Sequence, residues 1–129
     1  MSVKLSPGDV VHIWRDDLVG RGESFKYMVC ICPVQRWFFY INSLPYRKVP
    51  EANVEIRHYE FTRLPNDISY LDSRKVTVLS YDALTNGMAR RGAANLGPLT
   101  PAVRVRIKNA IRKHGILPSR QEAFVIKNL

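Results

Sequence analysis

Four consecutive residues, Gly20-Arg21-Gly22-Glu23, set a guanidinium between two glycines and next to a carboxylate. With no Cβ on either side, such an arginine can come close to a phosphate and hold it through two parallel N–H bonds. The proton-accepting group is Glu23 or a histidine, and nothing in the sequence fixes which. Further along, Tyr46 stands beside Arg47 and Lys48, a ring for stacking next to cations for phosphates. Arg90 and Arg91 lie in Gly-Met-Ala-Arg-Arg-Gly, which reads as a basic loop suited to phosphates. Each feature also fits a plainer role: Arg21 as a solvated hairpin charge, Tyr46 as a surface tyrosine, the arginine pair as a solubilising group.

Other chemistries have less to stand on. Asp16 and Asp17 are neighbours in a hairpin, so their carboxylates diverge and turn formation is expected of them. His12, His58 and His114 fall on different elements at no ligand spacing, so no metal site is expected. His12 shares a strand face with Val10 and Trp14 and reads as a partly buried imidazole. There is no G-x-S-x-G, P-loop or H-E-x-x-H motif. The two cysteines, Cys30 and Cys32, sit two apart in a strand-like run. They are expected on one face of that strand, buried, reduced and unable to bridge each other.

The formal net charge is +9 and it is unevenly placed. Residues 1–82 hold eleven Lys and Arg against ten Asp and Glu, whereas residues 83–129 hold nine against one. A cationic C-terminal third on a near-neutral body points to a polyanion or an acidic protein as partner, or to a merely solvated basic helix. Apolar residues make up 46%, enough to bury a core. No apolar run is long enough to span a membrane and the N-terminus lacks the apolar stretch of a secretory signal. A cytoplasmic protein is the expectation.

The elements that must position these residues are short strands. Strands are expected over about residues 9–14 and in Lys-Tyr-Met-Val-Cys-Ile-Cys, Arg-Trp-Phe-Phe-Tyr-Ile-Asn, Ala-Asn-Val-Glu-Ile-Arg-His-Tyr-Glu-Phe and Arg-Lys-Val-Thr-Val-Leu-Ser-Tyr. In the third, Trp37 and Phe39 share one face and Phe38 and Tyr40 the other; one set is core and the other stacks or packs beneath a helix. The segment from Arg63 to Asp72 reads as a loop or a short helical turn. A late helix runs from a Thr100 cap through Pro101 to a Gly115 stop, with Val103, Ile107, Ala110 and Ile111 as its apolar stripe. Ser119 and Glu122 form a capping-box pattern, so a second short helix or an edge strand follows. The chain is read as one mainly β domain over residues 1–129: a small barrel of five or six strands over about 7–82, a basic loop and packed C-terminal α-helix over about 83–115, and a tail over 116–129.

The order of these pieces resembles the MazF/PemK family of toxins from bacterial toxin–antitoxin pairs. The resemblance rests on the first strand Gly-Asp-Val-Val, the glycine-rich charged loop, the apolar second strand and a third strand ending in a hydroxyl residue. It extends to Leu-Asp-Ser-Arg-Lys-Val-Thr-Val-Leu-Ser, similar to the family's Asp-containing last strand, and to Asn-Leu-Gly-Pro-Leu before the helix. The match covers about residues 7–115.

The resemblance implies an SH3-like barrel, a homodimer and an acidic antitoxin partner. It also implies metal-independent, cofactor-free cleavage of single-stranded RNA. Arg21 and Gly22 occupy the family's loop positions, Lys26-Tyr27 replaces its usual Arg-Pro, and Ser43 replaces its usual Thr. Arg21, Ser43 and Glu23 are then the catalytic candidates. Lys26, Tyr46, Arg47, Lys48, Arg90 and Arg91 are the RNA-binding ones. Asp72 is expected to brace its strand by pairing with Arg74 or a loop amide. The loop departs from the family in lacking its His and Gln, which leaves room for the other function class: a non-catalytic SH3-like module that binds RNA or an acidic protein.

Overall fold

Alternation in the first strand decides how the sheet is used. In the computed structural model, which describes residues 3–16 and 24–129, β1 (Asp9–Arg15) puts Val10 into one apolar cluster and Val11 and Ile13 into another. Successive side chains of a strand point to opposite faces, so both faces of this sheet are covered. The remaining strands are β2 (Ser24–Cys32), β3 (Trp37–Asn42), β4 (Asn53–Arg57), β5 (Ile68–Val78) and β6 (Ala94–Pro98). They form one antiparallel sheet in the order β4-β5-β3-β2-β1-β6.

Among the described residues three α-helices accompany the sheet: α1 (Tyr81–Ala89), α2 (Pro101–His114) and α3 (Ser119–Asn128). The larger cluster gathers Val29, Phe39, Val54, Ile56 and Leu71 of the sheet with Val103, Ile107 and Ile111 of α2 and Val125 of α3. The smaller joins Val11, Ile13, Met28, Cys30 and Phe38 to Leu79, just after β5, and to Leu84 of α1. Both aromatic faces of β3 are therefore packed. Trp37 and Phe39 lie in the main core, and Phe38 and half-buried Tyr40 lie on the α1 side.

Helix α2 begins and ends where its capping residues place it. Thr100 Oγ1 accepts from the Val103 N–H at 3.4 Å, Pro101 opens the helix, and Gly115 closes it at φ 60°. That left-handed conformation favours glycine. The stripe of Val103, Ile107 and Ile111 is fully buried.

Several expectations need correction. Residues 68–72, read as loop or helical turn, are the first half of β5; buried Ser69 and Leu71 alternate with half-buried Ile68, Tyr70 and Asp72. The segment after Tyr81, read as a basic loop, contains the helix α1, capped by Ser80 through the Ala83 N–H at 3.0 Å. Gly87 hides this helix from propensity, and packing explains the glycine: a Cβ there would lie 2.5 Å from the Trp14 carbonyl oxygen. The fourth strand stops at Arg57, and His58–Glu60 form a 3-10 turn in which His58 Nδ1 lies 2.9 Å from the Leu64 carbonyl. The final segment is helical, but Pro118 holds the cap position and Ser119 lies inside the helix, so the capping box does not form. Cys30 and Cys32 are buried and unbridged as expected, yet a register shift between them sends Cys30 to the smaller cluster and Cys32 to the larger. Burial, with Asp9 and Cys32 nearby, pushes the Cys30 thiol up to about 12, which makes it an inert core group.

Among the described residues no helix is long and apolar enough to cross a membrane.

Candidate functional site

Where β2 begins and β3 ends, the sheet leaves a cleft of about 570 Å³. One wall is Phe25, Lys26 and Tyr27 of β2. Opposite lie Asn42 and the loop Ser43-Leu44-Pro45-Tyr46, with Pro65 and Asn66 closing one side and Ser69, Asp72 and Arg74 coming from β5. The volume falls in the range of small-ligand sites, roughly 300–1,000 Å³. Of the candidates named from sequence, Lys26, Ser43 and Tyr46 meet here. Lys26 comes from β2, and Ser43 and Tyr46 from the loop that follows β3, twenty residues away or less in sequence; the β2–β3 pairing brings them together.

The loop carrying Ser43 and Tyr46 is pinned by one asparagine. Asn53 Oδ1 accepts from the Tyr46 N–H at 2.8 Å, and its Nδ2 donates to the Tyr46 carbonyl at 2.8 Å and the Pro50 carbonyl at 3.1 Å. Arg74 then covers the tyrosine. Its guanidinium lies 3.3 Å from the Tyr46 ring centroid and grips Asp72, with Nε 3.0 Å from both carboxylate oxygens and Nη2 2.7 Å from Oδ2. Asp72 also accepts from the Arg74 backbone N–H at 3.1 Å. These bonds raise the guanidinium pKa above its ordinary value, against the opposing effect of burial. The side chains are 33% and 13% exposed, so the pair faces the cleft rather than bulk solvent on all sides. Tyr46 thus has one face engaged by a cation.

A ladder of rings backs the β2 wall. His12 of β1 is stacked between Phe25 and Tyr27, with centroids 4.6 Å and 4.5 Å away. Trp14 meets Phe25 edge-on at 5.0 Å, and the Arg90 guanidinium lies 4.3 Å from the Trp14 ring. His12 Nδ1 is 3.2 Å from the Gly92 carbonyl; since a carbonyl only accepts, this nitrogen carries the proton. Arg90 is therefore tied down on the aromatic ladder beside the cleft and is not a free loop cation. Arg91 is exposed next to it, and Arg47 and Lys48 are exposed in the loop beyond Tyr46. Arg21 and Glu23 lie outside the described residues, as does Asp17; Asp16 is exposed.

No family model matches the chain, and no curated protein or solved structure matches it.

The geometry also sorts the basic residues. Arg104 of α2 is a structural clamp, donating to the carbonyls of Leu129 at 2.8 Å and Pro7 at 3.1 Å. Arg106 donates to the Glu55 carbonyl at 3.1 Å and pairs with Glu60. The helix face is thus less available than its charge count implies; Arg112 and Lys113 remain exposed. His114 has a structural role as well. The Ser73 hydroxyl donates to the Ala52 carbonyl at 2.7 Å, so His114 Nε2, 3.0 Å away, must donate to Ser73. His114 Nδ1 accepts from the Ile116 N–H at 3.0 Å. Ser73 is fully buried and its proton is committed, so this Ser–His contact is a latch and not a nucleophile with its base. Among the described residues, no three His, Cys, Asp or Glu side chains gather to hold a metal ion.

Sequence reasoning missed Phe25, Tyr27, Asn42, Asn66 and Arg74 as cleft residues. The signal was weak: Asn42 and Ser43 end an aromatic strand, and Pro65-Asn66 looks like any turn.

Proposed function

We propose that the protein is a metal-independent endoribonuclease of MazF/PemK type that cuts single-stranded RNA at this cleft. One observation supports the reading: Lys26 and Ser43, named through the family resemblance, and Tyr46, named for the cations beside it, line a single concavity. In this reading the curled six-stranded sheet with its packed C-terminal helix is a variant of the SH3-like barrel. The protein acts in the cytoplasm as a homodimer and is silenced by an acidic antitoxin attracted to its basic surface.

The reaction is an internal transesterification. The 2′ oxygen attacks phosphorus and loses its proton to Glu23, while the bond from phosphorus to the 5′ oxygen breaks. Arg21 forks the developing phosphorane dianion, and Ser43 donates to a non-bridging oxygen. Lys26, half-buried in the β2 wall, offers a proton to the leaving 5′ oxygen. Tyr46 supports a flanking base, with Arg47, Lys48, Arg90 and Arg91 along the phosphate path.

A second reading is favoured by the Asp72–Arg74 pair. These two groups neutralise each other and fix the Tyr46 ring, which builds a rigid stacking platform without requiring any bond to break. On that reading the protein is a non-catalytic module for RNA.

Digestion of a long single-stranded RNA in EDTA separates the two. The nuclease reading expects discrete cuts with 2′,3′-cyclic phosphate and 5′-hydroxyl ends. It also expects Arg21→Ala to reduce the rate by about a hundredfold or more with little change in the thermal midpoint. RNA that is bound by the wild-type protein yet never cut, with Arg21→Ala merely weakening binding, overturns it in favour of the second.

A further inference from the structure

The asparagines divide into those the fold uses and those it does not. Asn53 spends both ends of its amide on the Tyr46–Pro50 loop. Asn95 donates to Asp9 at 3.0 Å and accepts from the Gly97 N–H at 2.9 Å. Asn128 donates to the Phe124 carbonyl at 2.9 Å, and Asn109 accepts from Arg112 at 3.4 Å. The side-chain amides of Asn42, Asn66 and Asn86 make no hydrogen bond to the described residues; Asn86 is exposed on α1, whereas Asn42 and Asn66 line the cleft. Asn42 is half-buried at the last position of β3, its backbone set by pairing with Tyr70. Its backbone is therefore held in place while the donor and acceptor of its amide stay open to whatever enters.

The same cleft is walled by Phe25 and Tyr27, rings kept upright by the His12 sandwiched between them. Rings beside open amides are a pattern for a nucleobase: the ring holds a face and the amide meets an edge. An amide sets a donor next to an acceptor, the complement of adenine's amino group and N7, and a lysine suits guanine O6 and N7. Asn42, Asn66 and Lys26 together therefore suit a purine, which also has the larger face to lay on an aromatic wall.

We propose that the cleft selects an unpaired purine, and that Asn42 and Asn66 read its edge. This rests on the RNA reading of the cleft but needs no cleavage. It makes sequence preference a property of two neutral side chains, separate from the cations that supply backbone affinity.

Fluorescence anisotropy tests it with labelled oligouridylates whose central nucleotide is A, G, C, U or abasic. The wild-type protein should bind the A- or G-centred strand about tenfold more tightly than the other three, the discrimination of one good base contact. Asn42→Ala and Asn66→Ala should remove that preference and leave the salt dependence and the thermal midpoint where they were. Asn42→Asp, which keeps acceptors but loses the donor, should change which purine is preferred. Equal wild-type affinity for all five strands, or a purine preference that survives in both alanine variants, overturns the proposal. Failure of every strand to bind at low salt sinks the RNA reading itself and the proposal with it.

Discussion

If the cleft binds RNA as proposed, replacing Asp72 by Asn should tighten that binding while slightly destabilising the protein. The Asp72 carboxylate holds the Arg74 side chain through three contacts: two at 3.0 Å from Nε and one at 2.7 Å from Nη2. Asparagine is nearly isosteric but uncharged, so the cleft gains one positive charge and the guanidinium fork is released towards solvent and ligand. Arg74 keeps its position on the Tyr46 ring, 3.3 Å from the centroid, so it is not lost to disorder. Two magnitudes follow. The pair is partly exposed, so its loss costs about 0.2–1 kcal/mol of stability. For a chain of this size that lowers the thermal midpoint by up to roughly 4 °C. A new phosphate contact makes the log–log salt slope steeper by about 0.7 on a single strand. A charge-assisted bond to a phosphate contributes about 1 kcal/mol even when partly solvated, roughly fivefold in affinity. Anisotropy titrations of an oligonucleotide at several salt concentrations measure both quantities, and differential scanning fluorimetry measures the midpoint. Unchanged affinity with an unchanged slope would mean that Arg74 never meets RNA. A sharp loss of affinity at intact stability would mean that Asp72 itself contacts the ligand, and its role as a restraint on Arg74 would be refuted.

Three further outcomes test the fold around the cleft. Ile107→Asp should prevent folding as judged by near-ultraviolet circular dichroism, because it places an unpaired charge at a fully buried position at a cost of several kcal/mol, against a total stability of roughly 5–15. Ser73→Ala leaves the Ala52 carbonyl and the His114 Nε2–H without a partner and should cost about 2–3 kcal/mol; a coupling below about 0.5 kcal/mol in a cycle with His114→Ala would refute the latch. The Arg106 hydrogen bond holds the Glu60 carboxyl below its ordinary value, so its contribution is present above the unfolded-state value and is lost as pH falls through the folded one. Glu60→Gln should therefore flatten the acid limb of the stability profile and leave its neutral plateau within about 1 kcal/mol.

What the chain made legible followed from local physics. Helix α2 is signalled by residues that act within a few positions of themselves: a threonine cap, a proline at the first turn, a glycine stop and a stripe at helical spacing. Strand β2 was equally plain as an apolar run. What escaped was set by contacts distant in sequence. Helix α1 contains Thr85, Asn86 and Gly87, poor helix formers, and it stands because Gly87 lets it lie against the backbone of Trp14, more than seventy residues earlier. Cys30 and Cys32 changed faces because of a shift in pairing with β3, which two-residue periodicity cannot anticipate.

The same division runs through the site, and it bears on how charge should be read. The nine cations after residue 82 look like one basic face when counted along the chain. Folded, they serve different purposes: Arg104 clamps the terminal carbonyls, Arg106 holds Glu60, and Arg90 lies on Trp14. A cation already bonded to protein releases fewer counterions when a polyanion arrives, so it adds less to the salt slope than its formal charge suggests. Ser43 and Tyr46 gain significance in the opposite way. Each is an ordinary loop residue by type; the Asn53 clamp and the Arg74 stack fix Tyr46, and Ser43, three residues earlier in the same loop, lines the same cleft as Lys26. Electrostatic steering by this surface therefore rests on exposed cations: Arg91, Arg112, Lys113, Arg120, Lys127 and the Arg47-Lys48 pair among them. Charge-reversal at those positions should slow RNA association far more than reversal at Arg104, which should instead unfasten the C-terminus.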